Sequence, residues 1–258
     1  MNQPEYRDLT LDIINEQTAM DAESYLKEKE EYVDRKLIPE IRKELAVKEA
    51  QEIQLEKIES EINVMNLASE FTLRIKGGEY EKAYECFALK TEGVSAEITN
   101  AGVYEGADAI RSYFVDYYTK TASDAGYFKI NHLCTPVVEV ADNNQTAKGM
   151  WISVGMEALK RPDLPSEYTD PLCIWAFATW TMDFIKEDGV WKIWHLTIFD
   201  EIRTTYEKSW SEMAADPLPE DPQIPAPTRK SEKHHPFALN RKPYLHQEPP
   251  VPYAQYQN

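Results

Sequence analysis

The sequence predicts an α+β domain over residues 61–212, carried between a charged helical extension (1–60) and a proline-rich tail (213–258). Three observations predict it. Residues 179–201 alternate apolar side chains around an Asp188-Gly189 turn, which is the period of strands and not of a helix. The N-terminal stretch instead spaces Leu37, Ile41 and Leu45, then Leu55, Ile58, Ile62 and Met65, three or four residues apart, the period of an amphipathic helix. None of the nine glycines lies beyond Gly189, whereas 10 of the 16 prolines lie in residues 213–258, so the core and the ends are different material.

Residues 1–60 carry 16 acidic and 9 basic side chains and no glycine. They predict two or more helices interrupted near Pro39, serving either as a partner-binding or oligomerisation arm or as a charged extension folded along its own domain. A helix then runs to Lys76 and stops at Gly77-Gly78, and a second passes through Tyr84 and Phe87. A short strand follows near Ser95 to Thr99, then a helix from about Ala107 to Thr119. Four strands are expected over 130–140, 147–157, 174–186 and 190–200.

Two hairpins fix the expected register. With Asn143-Asn144 as the first turn, Glu139 faces Lys148, a favourable cross-strand pair. His132 then faces Gly155, Cys134 faces Ser153 and Pro136 faces Trp151. With a two-residue Asp188-Gly189 turn, Lys186 faces Trp191, Phe184 faces Ile193 and Met182 faces His195, while Asp183 points the other way beside Lys192. Val190, Trp194, Leu196 and Ile198 make the opposite face of the last strand apolar too, which predicts a homo-oligomer covering it. The tail cannot enter a sheet interior because of its prolines. Its anchors Phe237, Tyr244, Leu245, Val251, Tyr253 and Tyr256 suit it to wrapping over a neighbouring subunit.

A formal charge of −17 argues against a nucleic-acid partner. Cys86, Cys134 and Cys173 form neither a disulfide framework nor a zinc signature and read as buried thiols of a reducing compartment. No signal peptide or apolar run of bilayer-spanning length is visible, so a cytoplasmic protein without membrane contact is expected. Phosphate loops, nucleophile elbows and zinc-protease motifs are missing from the sequence, and no metal or cofactor is expected. His234-His235 lacks a third ligand nearby.

His132 is the leading chemical candidate, since the small residues opposite it leave volume beside a titratable group, although a purely structural strand histidine is the alternative. His195 is the second candidate, against a core histidine. Asp183 and Asp200, near strand ends, read as ion-pair or capping residues. Tyr104, Tyr113, Tyr117 and Tyr118 could present phenols to a cavity or pack as core.

The order of these pieces, a helix, the Gly77-Gly78-Glu79-Tyr80 break, GVYEGADAIRSYF, an H-x-x-x-x-P strand followed by TAKGMW, and DFIKEDGVWKIWH, resembles the SnoaL-like branch of the nuclear transport factor 2-like superfamily over residues 60–212. That branch holds polyketide cyclases, scytalone dehydratase, bile-acid dehydratases and ketosteroid isomerase. The resemblance implies a cone-shaped barrel of curved mixed sheet and helices enclosing an apolar cavity, in dimers or trimers. It implies a cofactor-independent lyase or isomerase acting on a hydrophobic cyclic molecule such as a steroid, polyketide or aromatic compound, the alternative being a noncatalytic binding or assembly protein. His132 would transfer protons, complemented by His195 or Tyr104, with Trp151, Tyr113, Tyr117, Phe71 and Met182 against the substrate. Phe71 and Lys76 stand where related dehydratases place a Tyr and an Asp.

Overall fold

The computed structural model describes residues 5–123, 126–160 and 171–256, with side chains from residue 18 onward. Two compact units separate between residues 56 and 57. The first is helical: α1 (Glu5–Tyr32), a π-helical turn (Val33–Leu37) and the beginning of α2 (Ile38–Lys76). Pro39 does not break the chain here: the helix runs on through the wide π turn just before it, where Ile38 N donates to Val33 O, and that turn accommodates a residue with no donor. Met20, Leu26, Leu37, Ile41 and Leu45 are exposed along this unit.

The second unit is built on a six-stranded sheet of order β2-β1-β6-β5-β4-β3. Its strands are β1 (Ser95–Ile98), β2 (Gly102–Glu105), β3 (Phe128–Val140), β4 (Thr146–Leu159), β5 (Leu172–Glu187) and β6 (Val190–Thr205). The four long strands contain the four predicted from alternation. All pairs are antiparallel except β1 with β6. The sheet is curved but unclosed, with β2 and β3 at its two edges, so the expected barrel is an open half-cone. The last part of α2, then α3 (Tyr80–Tyr84), α4 (Ala107–Arg111), a π-helical segment (Ser112–Tyr117) and α5 (Tyr118–Thr121) cover one face; α6 (Trp210–Ala215) follows the sheet.

Where the resemblance implies an apolar cavity, one end of the interior is filled. Phe71 is fully buried with its ring 5.5 Å from Phe87 and 5.4 Å from Phe114, and Trp180, Trp151, Phe184 and Met182 continue the cluster. Phe71, Trp151 and Met182, expected against substrate, are therefore core.

Three single-residue bulges curve the sheet, one in β3 and two in β6. In β3, Thr135 (φ 50°) and Pro136 together oppose Trp151 of β4. In β6, Trp194 and then Glu201 are the extra residues. Up to each bulge the predicted registers hold: Glu139 pairs Lys148, Lys186 pairs Trp191 and Phe184 pairs Ile193. Past it every side chain changes face. His132 pairs Val154, not Gly155, and His195 pairs Asp183, not Met182. Leu196 and Ile198 join Ile193 inside, while His195 and Thr197 turn out. The apolar outer face that called for a second subunit is thus partly polar.

The tail packs on its own chain. Tyr104 Oη donates to Pro225 O at 2.9 Å, and Val103 and Arg229 form a bridge along the β2 edge. Beyond that edge Phe237 N donates to Glu201 O, His246 stacks on Phe199 at 4.8 Å, and Tyr256 packs on Trp194 at 4.9 Å. Of the three cysteines only Cys86 is buried; Cys134, turned out by the β3 bulge, and Cys173 are exposed. Among the described residues no helix is long and apolar enough to cross a membrane.

Candidate functional site

The other end of the interior is polar. Alternation along each strand puts Lys129, Asn131 and Leu133 of β3, Ser153, Gly155 and Glu157 of β4, Ala176 and Ala178 of β5, and Asp200 and Arg203 of β6 on the inner face. Gly155 is needed there: a Cβ would meet Asn131 Oδ1 at 2.6 Å and Ala176 O at 3.0 Å. The middle of this face carries only small side chains, and the buried Ser153 hydroxyl has no hydrogen-bond partner among the described residues.

Charged residues border that patch. Glu157, with 3% of its side chain exposed, accepts from Lys129 Nζ at 2.7 Å and Arg203 Nη2 at 2.6 Å. Burial alone would raise its pKa, but the two cations outweigh it and hold the carboxyl well below the usual range. Burial likewise opposes the charge on Lys129, yet Glu157 keeps the ammonium charged. Asp200 differs. Arg203 Nη1 is 3.8 Å from its Oδ2, beyond hydrogen-bond length, and burial pushes the Asp200 carboxyl up to about 6.

Aromatic hydroxyls supply the helical side of the site. A π-helical turn brings residues four and five apart onto one side, which groups Tyr113 with Tyr117 and Tyr118, each at 5.5 Å between ring centroids. Tyr104 of β2 packs at a tilt against Tyr113, with ring centroids 4.7 Å apart. Burial raises the pKa of Tyr113 well above 10, so its phenol stays protonated. Tyr117 Oη donates to Asp221 of the tail at 3.0 Å, and Lys129 Nζ lies 5.0 Å over the Tyr118 ring. This corner can take a proton at Asp200, stabilise an anion at Arg203 and offer phenolic donors.

The residues singled out from sequence distribute differently from expectation. His132 is exposed on the outer face, its Nδ1 3.1 Å from Val154 O. His195 is also on the outer face, 3.1 Å from Asp183 Oδ2, which also accepts from Tyr256 Oη at 2.7 Å. Neither histidine reaches the interior, because each bulge moves its strand by one residue. Tyr104 is inside, but its hydroxyl is committed to Pro225 and burial pushes it up to about 12. Tyr113 is buried within the aromatic core and Tyr117 packs against it, both on the inner side. Sequence reasoning passed over Lys129, Glu157 and Arg203; the available signal was Glu157 two and four residues along from Gly155 and Ser153, a charge in phase with small inward positions.

The SnoaL-like domain model matches residues 56–197. The chain belongs to the SnoaL-like domain family. Solved structures similar to this SnoaL-like chain match it at low identity. They include LinA, 14% identical over 61% of this chain and 96% of that one with a TM-score of 0.49. Another is the hexachlorocyclohexane dehydrochlorinase LinA-type3 from Novosphingobium barchaimii LL02, 15% identical over 60% and 96% with a TM-score of 0.47. No curated protein matches the SnoaL-like chain.

Proposed function

We propose that this SnoaL-like protein is a cofactor-independent lyase or isomerase that moves a proton on a hydrophobic, cyclic small molecule. The observation that carries the reading is Asp200, a buried carboxyl with its pKa near 6, set beside Arg203 and the small-residue wall around Ser153. A base poised near the working pH is what abstraction of a proton next to a carbonyl requires. Asp200 takes the proton, and the electron pair of the broken C–H bond forms the new double bond. Arg203 stabilises the charge that collects on the carbonyl oxygen. In an elimination, a tyrosine of the 113–118 group gives a proton to the departing hydroxyl, which leaves as water.

Binding without turnover is the second reading. It is favoured by Phe71 and Lys76, which replace the tyrosine and carboxylate that related dehydratases carry on the first helix; Phe71 is wedged between Phe87 and Phe114. One experiment separates the two: incubate the protein with hydroxylated cyclic ketones, follow loss of water or deuterium exchange at the α-carbon, and repeat with Asp200→Asn. Turnover that falls by about 10² to 10⁴ in the variant supports proton transfer. Binding with no exchange in either protein supports the second reading.

A further inference from the structure

Three neighbouring strands present two rows of polar side chains on the outer face. The register sets Ser95, His195 and Asp183 side by side, with Glu97, Thr197 and Thr181 in the next row. A covered sheet face is ordinarily apolar. This one is polar and covered, for Arg229, Lys233 and Gln247 of the tail lie across it and leave a cavity of about 240 Å³ between floor and cover.

The charged groups around the cavity already have partners. Asp183 is engaged by Tyr256 and His195 as above. Glu97 accepts from Ser231 Oγ at 2.7 Å and pairs with Lys233 at 2.9 Å, and Arg229 Nε donates to Glu105 at 2.8 Å. What remains unused is uncharged: the hydroxyls of Ser95, Thr181 and Thr197 and the Gln247 carboxamide have no side-chain hydrogen bond among the described residues. Thr181 is only 6% exposed. Its hydroxyl is nonetheless not sealed off from solvent, so it is open to a ligand in the cavity.

We infer that this cavity is a second ligand site, separate from the Asp200 centre, and that it takes a neutral, hydroxyl-rich molecule of monosaccharide size. Balanced charge at the walls gives an ion no net attraction. The free groups are donors and acceptors of the kind that recognise hydroxyls, and the volume lies below the roughly 300 Å³ at which pockets for drug-sized ligands begin.

Saturation-transfer NMR and calorimetry on the full chain with glucose, xylose and myo-inositol test the inference. At least one should bind saturably, and Thr181→Val and Gln247→Leu should each weaken it about fivefold to tenfold, the effect of one uncharged hydrogen bond. Thr181→Val preserves shape, and Gln247 is an exposed tail residue whose replacement leaves the sheet intact. Asp200→Asn should leave this binding unchanged. No binding by any of the three, binding indifferent to both substitutions, or binding only of acetate or phosphate would overturn it.

Discussion

Arg203 donates to Glu157 at 2.6 Å but stands 3.8 Å from Asp200, and this inequality decides which of the two buried carboxyls can change charge near neutral pH. Glu157 is held ionised, whereas Asp200 keeps a pKa raised from the ordinary 3.8 to about 6. Its stabilising effect is therefore full below pH 3.8 and lost as pH rises through about 6. Catalysis by the carboxylate has the opposite dependence. Turnover per KM should climb through pH 6 and level off above it, while Asp200→Asn, losing turnover, should gain up to about 3 kcal/mol of stability at pH 7.5. Parallel pH–rate and denaturation profiles check both halves; a variant less stable than the parent at pH 7.5 would contradict the assignment.

Glu157 neutralises two cations at once, so its removal should be among the most damaging single changes in the domain. Glu157→Ala leaves Lys129 and Arg203 buried without their carboxylate, and the expected loss is about 3–5 kcal/mol. Urea titration at pH 7.5 measures it. A loss below 1 kcal/mol would mean that water reaches the cluster freely.

The bulge at Thr135 makes a prediction that runs against the sequence expectation. Thr135 is an exposed, β-branched residue at φ 50° immediately before a proline, a conformation that disfavours both features. Thr135→Gly should stabilise the domain by about 0.5–1 kcal/mol in thermal or chemical melts. His132→Ala, altering an exposed side chain beyond the bulge, should leave both stability and any turnover within error. A large fall in turnover would return His132 to the site.

Those bulges mark the limit of what the sequence discloses. Hairpin turns and period-two alternation are local, so the strand spans and the pairings near Asn144 and Asp188 were legible. An extra residue such as Trp194 leaves the apolar pattern locally plausible on either face, and tertiary packing alone decides where the strand slips. Both histidines were misplaced by this one mechanism. Asp200 and Asp183 were visible as strand carboxylates, but their partners Arg203 and Tyr256 lie past a bulge and in the tail, out of reach of a register argument. The tail's own anchors, Tyr253 and Tyr256, were legible; that they would dock on their own sheet was not.

Docking of that tail should depend on pH through His246 and His234. His246 stacks on Phe199, its Nε2 3.7 Å from Glu201 Oε1, with Arg241 and His235 nearby; His234 lies 3.4 Å from Thr99 Oγ1 beside His235. Burial lowers both pKa values below the ordinary 6.5, and Glu201 opposes this only in part at His246. A histidine whose folded pKa is depressed binds its proton more readily when free. The tail is thus held fully above pH 6.5 and more weakly as pH falls below it. Amide exchange over residues 234–246, corrected for the intrinsic effect of pH on exchange, should show protection at pH 7.5 that declines at pH 5.5 while β5 stays protected. His246→Phe, which keeps the stacking on Phe199 and has no proton to bind, should reduce that decline. Equal protection of the tail at both pH values would show that these two imidazoles do not govern its attachment.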